Sequence, residues 1–433
     1  MKNKPAYKYY HNRIKKTFSF IIPRHKKILF FGSNSKGILS SLHPAKKVVV
    51  KNRYEKYIPK EKFDFIIFNG ALGQATDMLR IFKNIQSACY PSTRILIYQY
   101  NYTWQAALNI AEKLELKRKE AVQNWLSVND LKTYLDGAGF QVTRIFRQTL
   151  FPLKFFGLGN LFNLIGVILP FFDFLKLDQF IIARPQPHLF SNQQPKSLTI
   201  CITVRNEKGN IKPIVKSTPK VCKQQEILFV EGHSTDGTKA EIKRMIKKYP
   251  QKNIRVIGQP SIGQGDATRV GFKAAKGDII IIYEGDNTAE PKDIQYFYQA
   301  MKNGQYEFIE GSRFVYPLNN QTMPFINQLG NIFFAKWFSF FLGHRTTDVL
   351  CGIKAILKRD FDQLYKRWGF LGFEDPFGDF ELIYGATRMG LKFGEIPTHY
   401  YPRSYGETKT RPFTHGLYLL KMAAKGYLVF RKN

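Results

Sequence analysis

The sequence predicts an α/β protein with two doubly wound domains, and three observations carry that prediction. Short apolar runs alternate with stretches of helical periodicity across residues 28–150. The alternation returns across residues 197–410. In that second stretch the apolar runs end in acidic or glycine-rich loops, as when a parallel sheet gathers its loops at one edge. The length of 433 residues gives room for two or three domains with ample core.

Charge narrows the partners. The formal net charge of +33 calls for an anionic partner: nucleic acid, anionic lipid head groups or phosphorylated substrates. No nucleic-acid-binding motif occurs, and an acid-lined sheet edge repels phosphates without a metal, so nucleic acid is set aside. Cys89, Cys201, Cys222 and Cys351 have no metal spacing. They read as reduced, mostly buried thiols of a cytosolic protein.

Residues 1–27, MKNKPAYKYYHNRIKKTFSFIIPRHKK, form a basic, aromatic arm. Its apolar core is too short for a signal peptide. No stretch of the chain reaches the roughly 18 clean apolar residues of a spanning helix. A solvated tail and a contact with an anionic membrane surface fit the arm equally.

In the first domain, residues 28–150, ILFFG (28–32), VVV (48–50), FDFIIFN (63–69) and RILIYQY (94–100) read as strands, and residues 77–88 as a helix. NDLKTYLDGAGFQVTRIFRQ (129–148) reads as helix, glycine stop and strand. FFGSNSKG after the first strand, FDFIIFNGAL, and the late LDGAGF resemble class I methyltransferases that use S-adenosylmethionine. The resemblance implies a Rossmann-type sheet with Gly32 and Gly37 in the S-adenosylmethionine loop. Two departures accompany it. Asn34 replaces the middle glycine of the family's Gly-x-Gly-x-Gly, and Lys51 and Asn52 stand where the family has a ribose-binding acid. A cofactor-binding domain and a degenerate one kept as scaffold or docking surface both remain open.

Residues 151–196 are an apolar connector followed by a polar linker. FPLKFFGLGNLFNLIGVILPFFDFLKLDQFIIARP fits a helical hairpin packed on protein, the favoured reading, or an interfacial membrane segment.

The second domain, residues 197–410, centres on DIIIIYEGDNTAEP at 278–291. Ile279 to Ile282 reads as a buried strand. Glu284 and Asp286, at alternate positions after it, can aim at one cation, and such an ion can hold a diphosphate. A solvated turn is the bland alternative. Neighbouring loops after LTICITV, EILFV and IRVIG add Glu207, Glu231, Asp236 and Asp266. That gathering is unusual in a chain with 66 basic and 33 acidic residues, and a metal–nucleotide site accounts for it.

Six motifs follow in order: VRNEKGN, FVEGHSTDGT, GQGDA, EGDNTAEP, IEGSRF and PRSYGETK. They resemble inverting glycosyltransferases of family 2 with the GT-A fold, near the dolichyl- or polyprenyl-phosphate mannose and glucose synthases. LCGIKAI, GFEDPFGDFELIYGA and RSYGETKTRPFTHG look like a bacterial subgroup in which such a domain follows a methyltransferase-like one.

The resemblance implies roles. Arg205, Asn206 and Glu207 would hold the nucleoside, and Glu231 its base or ribose. Gly265 and Asp266 lie in the loop covering the nucleotide, and Glu284 and Asp286 take the metal-ligand positions for Mn²⁺ or Mg²⁺. Arg313 is placed for a phosphate, and Arg403 and Lys409 for the diphosphate. Two departures touch this site: Glu-Gly-Asp replaces Asp-Ala-Asp, and Gln264 replaces a lysine. Among Glu374, Asp375, Asp379 and Glu381, Asp379 is the candidate catalytic base, with a purely orienting role weighed equally. Asp348 reads as a loop-orienting residue.

Residues 325–343 and the basic, amphipathic segment 411–433 offer membrane-facing surfaces beside a lipid-linked acceptor. The favoured function is transfer of a sugar from a nucleotide-diphosphate donor to a lipid phosphate or cell-envelope glycan. It would be metal-dependent and peripheral at the inner face of the cytoplasmic membrane. The alternative is a non-catalytic scaffold derived from such a fusion.

Overall fold

The structure is a computed structural model that describes residues 5–33, 35–113, 124–153, 157–193, 195–316, 323, 325–370, 375–406 and 412–432. The chain forms two compact units, Met1–Ser191 with Leu428–Asn433, and Asn192–Tyr427.

The first unit begins with α1 (Pro5–Ile21), then β1 (Lys27–Phe31), α2 (Lys36–Leu42), β2 (Lys46–Val50) and β3 (Phe63–Asn69). It continues with α3 (Met78–Ile85), β4 (Cys89–Tyr100), α4 (Gln105–Lys113), α5 (Val128–Gly137) and β5 (Phe140–Phe146). It ends with α6 (Leu158–Ile168) and β6 (Asp178–Pro185). The sheet order is β2-β1-β3-β4-β6-β5. The first four strands are parallel, and β6 runs antiparallel to both β4 and β5.

Two segments differ from the sequence reading. The basic arm is a helix, because Ile14, Phe18 and Ile21 fall on one face and are buried with Ile22. Burying such side chains contributes about 1.5–3 kcal/mol each, which a solvated tail would forgo. The connector holds a sheet strand. Every residue of β6 is buried, so it lacks the alternation that would have separated it from the apolar run before it. At the end of α5, Gly139 takes a left-handed φ of 72° and turns the chain into β5.

The second unit runs β7 (Ser197–Val204), α7 (Lys208–Ser217), β8 (Gln224–Glu231), α8 (Thr238–Lys248), β9 (Ile254–Gly258), α9 (Gln264–Ala274) and β10 (Ile279–Glu284). Then come α10 (Ile294–Lys302), β11 (Phe308–Ser312), α11 (Phe325–Leu342), β12 (Lys354–Leu357) and α12 (Lys358–Tyr365). The remaining elements are α13 (Asp379–Arg388), β13 (Phe393–Pro397) and α14 (Pro412–Lys432), of which the part from Leu428 on is counted with the first unit. Its sheet order is β13-β11-β12-β10-β7-β8-β9, with β10, β7, β8 and β9 parallel and β12 antiparallel to β10 and β11. Leu198, Ile200, Ile202, Ile279 and Ile281 fill the core on one face with Ile211 and Phe297 from the helices. The C-terminal ends of β7, β8 and β10 therefore lie side by side, and the acidic loops come to one edge. All four cysteines are free thiols, and three are buried. No described helix is long and apolar enough to cross a membrane.

Candidate active site

The loops after β7 and β8 are knit by backbone donors. Asn206, in left-handed conformation (φ 54°), turns the chain so that successive N–H groups find partners. Asn206 N–H donates to Ser234 Oγ (2.9 Å), Glu207 N–H to Thr238 Oγ1 (2.9 Å) and Lys208 N–H to Asp236 Oδ2 (3.0 Å). Glu231 is buried at the end of β8 and accepts from Ser234 N–H at 2.6 Å. Its role here is to set that loop. Arg205 is exposed beside it.

The acidic stretch follows β10. Gly285 crosses β7 so closely that an added Cβ would stand 2.6 Å from the Thr203 carbonyl, so only glycine fits between the two acids. Asp286 Oδ1 accepts from Thr288 Oγ1 at 2.8 Å. Residues 288–290 are bonded to 399–401, with Tyr401 N–H donating to Thr288 O (2.7 Å) and Glu290 N–H to His399 O (3.1 Å). This pairing delivers Arg403. Its Nη1 donates to Glu207 Oε1 at 3.0 Å and its Nη2 to Asp286 Oδ2 at 2.8 Å. Tyr405 packs its ring on Gly209, which closes the same loop over the start of α7.

Behind these groups lies a buried charge cluster. Burial, then Asp286 and Asp379, raise the proton affinity of Glu284 against the pull of Arg313 and Lys354. Lys354 is fully buried on β12, and its ammonium pairs with Asp379 at 2.9 Å. Burial raises the Asp379 carboxyl, and Lys354 opposes that rise. Gly352 leaves room for the Glu284 carboxyl, which a Cβ would overlap.

The structure brings together Glu207, Asp286 and Arg403, and sets Glu284 and Asp379 in the same electrostatic cluster. Gly265 packs against the loop before α13: its N–H donates to Pro376 O at 3.1 Å, and an added Cβ would overlap the Asp375 carbonyl. Asp266 is turned inward to Ser261 N–H (2.9 Å) and to Arg269. Arg313 does not stand open for a phosphate. Its Nε and Nη2 form a fork on Asp348 at 2.7 and 2.8 Å, so that pair holds its own loop. Asp375 caps α13 through the N–H groups of Phe380 (2.8 Å) and Glu381 (3.0 Å). Gln264 Nε2 donates to Thr203 Oγ1 at 3.1 Å. Lys409 and Glu374 lie outside the described residues. The residue that sequence reasoning missed is Lys354, and its signal was a lone charge inside the apolar run GIKAIL.

The donor chemistry at Glu284 and Asp286 fits a hard divalent cation. Among the described residues no group of three or more His, Cys, Asp or Glu is placed to hold an ion. Mg²⁺, however, is commonly held by one or two carboxylates with waters and substrate phosphates completing the shell. The proton favoured on Glu284 and the guanidinium on Asp286 both answer a local excess of negative charge that such an ion would relieve.

The first unit does not match a cofactor in the same way. Gly32, at φ 139°, faces the Asn69 carbonyl, 2.7 Å from where a Cβ would sit. Gly37 faces the side-chain end of Lys15 in α1. Packing accounts for both glycines. Lys51 and Asn52 are exposed, and Glu55, the next acid, accepts from Thr76 N–H (2.7 Å) and Oγ1 (3.0 Å). These residues do not fit the ribose of S-adenosylmethionine.

Comparison with known proteins finds a separate family model for each part of the chain. The family model of glycosyl transferase family 2 matches residues 199–365, and a methyltransferase domain model matches residues 12–145. Glycosyltransferase AglJ of Haloferax volcanii is 28% identical over 193 residues, which are 44% of this chain and 59% of that protein. The dolichyl-phosphate hexose transferase of the same organism is 26% identical over 229 residues, covering 53% and 92%. The dolichol-phosphate mannosyltransferase of Pyrococcus furiosus is 28% identical over 134 residues, covering 30% and 37%. Among solved structures, glucosyl-3-phosphoglycerate synthase of Mycobacterium tuberculosis, in complex with Mn²⁺, UDP and glucosyl-3-phosphoglycerate, aligns at a TM-score of 0.38 and 13% identity, covering 55% of this chain and 80% of that one. The chain thus carries a family 2 glycosyltransferase domain joined to a methyltransferase-type domain.

Proposed function

We propose that the second unit transfers a sugar from a nucleoside-diphosphate donor to a lipid phosphate, with inversion at the anomeric carbon. The observation that carries this reading is Arg403 joined to both Glu207 and Asp286 at the carboxyl edge of the sheet. A planar guanidinium held there by carboxylates is poised to exchange them for the oxygens of a diphosphate. The acceptor oxygen would attack the anomeric carbon in line while the bond to the nucleoside diphosphate breaks. A divalent cation held by Glu284 and Asp286 would supply neutralisation of charge on the leaving diphosphate. A lipid phosphate is already anionic and needs no general base. Asp379, paired with Lys354, would then orient the acceptor and take no proton from it.

A hydroxyl acceptor is the second reading, favoured by the raised proton affinity of partly buried Asp379, which suits a base. Asp379→Asn separates them: transfer to a polyprenyl phosphate persists under the first reading and is lost under the second. A lipid acceptor would place the protein at the inner face of the cytoplasmic membrane.

The first test is calorimetric titration with UDP and GDP, each with and without Mn²⁺ or Mg²⁺. Metal-dependent binding of one nucleotide is expected, and Asp286→Ala should weaken it at least about tenfold. Binding of neither nucleotide by folded protein would turn the reading to the scaffold, and unchanged binding in Asp286→Ala would remove the metal assignment.

A further inference from the structure

We propose that the first unit docks on an anionic lipid leaflet through the outer face of α6 and the short helix Pro170–Leu175 that follows it. Leu161, Phe162, Leu164, Ile168, Phe171 and Phe174 are all exposed there, with Phe171 at 74%. No charged residue occurs from 155 to 172. The next acid, Asp173, is neutralised by Lys176 (2.5 Å) and Arg431 (2.8 Å). An uncharged apolar face of this kind is rare on a freely soluble surface.

The display is hydrogen-bonded from within. On its inner side Asn163 accepts from the N–H groups of Leu150 (2.8 Å) and Phe151 (3.0 Å) and donates to Phe151 O and Gly159 O, both at 2.7 Å. Asn101 Nδ2 and Thr103 Oγ1 donate to Phe174 O at 3.0 and 3.1 Å, and Trp104 Nε1 to Leu175 O at 2.7 Å. The backbone is thus satisfied from within while the apolar side chains point out.

Charge beside the patch selects the occupant. Tyr9 Oη donates to Asn160 Oδ1 at 2.8 Å and accepts from Asn163 Nδ2 at 3.1 Å, which ties the start of α1 to α6. The solvent side of α1 carries Lys8 and Lys16, both exposed, and residues 1–54 contain no Asp or Glu. Apolar insertion beside a basic rim is the two-signal pattern of interfacial binding to anionic lipid. This inference deepens the proposed function by naming the surface that would bring the protein to its acceptor. It rests on that reading only for the acceptor.

The test is sedimentation of the full chain with phosphatidylcholine vesicles, with and without phosphatidylglycerol. The wild type should sediment with phosphatidylglycerol vesicles. Leu164→Ser with Phe171→Ser should weaken that partition about tenfold or more, and Lys8→Glu with Lys16→Glu should abolish its dependence on phosphatidylglycerol. Nucleotide binding should be unchanged in both, which keeps this test apart from the titration above. In Phe171→Trp, lipids brominated in the acyl chain should quench the added fluorescence. Wild-type partition in the Leu164/Phe171 variant, no quenching in Phe171→Trp, or a wild-type dimer that the same variant dissolves would each overturn the proposal.

Discussion

The two sheets share a plan and differ in the charge at their carboxyl edges. In the first unit the loops after β1, β2 and β3 present Gly32, Lys51 and Gly70, and Asn101 after β4 binds the carbonyls of Phe174 and Lys176. In the second the corresponding edge presents Glu207, Glu231, Glu284 and Asp286, with Arg403 laid across two of them. A doubly wound sheet provides a crevice in either case. The difference teaches that the crevice is generic, whereas the charge placed in it is particular to each unit.

The largest expected effect tests how deep that charge is built. Lys354→Met removes the buried cation facing Asp379 and, through its charge, buried Glu310. Leaving those carboxylates uncompensated should cost about 3–5 kcal/mol. The loss should appear in urea unfolding of the second unit and leave the first unchanged. A loss below about 1 kcal/mol would show that the acids find other partners.

Next come two glycines that look alike in sequence. Gly32→Ala and Gly265→Ala each force a Cβ against a carbonyl, of Asn69 and Asp375 respectively, and each should cost about 1–3 kcal/mol. Only Gly265→Ala should also weaken nucleotide binding, because its loop and that of Asp379 pack on each other. Equal loss of binding in both variants would erase the distinction between the two edges.

The sheets were legible because buried strands such as Ile279–Ile282 are short apolar runs bounded by glycine and acid. α3 was legible because apolar residues recur at helical spacing, as at Ile81, Phe82 and Ile85. β6 was not, since a strand buried on both faces at the end of an apolar run carries no period of its own. α1 was obscured by its lysines, which line the solvent side of a helix whose Ile14 and Phe18 are core. At the site, residue types suggested which groups carry charge but not which groups they neutralise. Arg313 is turned to Asp348, a residue 35 positions away, and no local pattern announces that.

Arg403→Lys probes the same edge more gently. It keeps the positive charge and removes the fork that reaches Glu207 and Asp286 together. Nucleoside-diphosphate binding should weaken about tenfold with little change in stability, as measured by calorimetry and urea unfolding. Undiminished affinity would make Arg403 a latch on the acids and nothing more.

The smallest effect is the most diagnostic of the contrast, because its sign differs between the units. Burial pushes Glu310 in the second unit up to about 8 from an ordinary 4.5, with Lys354 opposing. Between those values the folded state holds a proton that the unfolded chain has released, so stability falls as pH rises through that window. In the first unit burial, helped by Arg431, brings Lys176 down to about 8 from an ordinary 10.5. Between those values it is the unfolded chain that holds the extra proton, so stability rises with pH there. Pulse proteolysis of the full chain in urea, with fragments assigned to each unit by mass, reads both slopes in one sample. The second unit should lose resistance from pH 5 to 8, and the first should gain it from pH 8 to 10. Slopes of the same sign would mean that the buried charges of the two units are compensated alike, and the contrast between the edges would then reside in their surface residues alone.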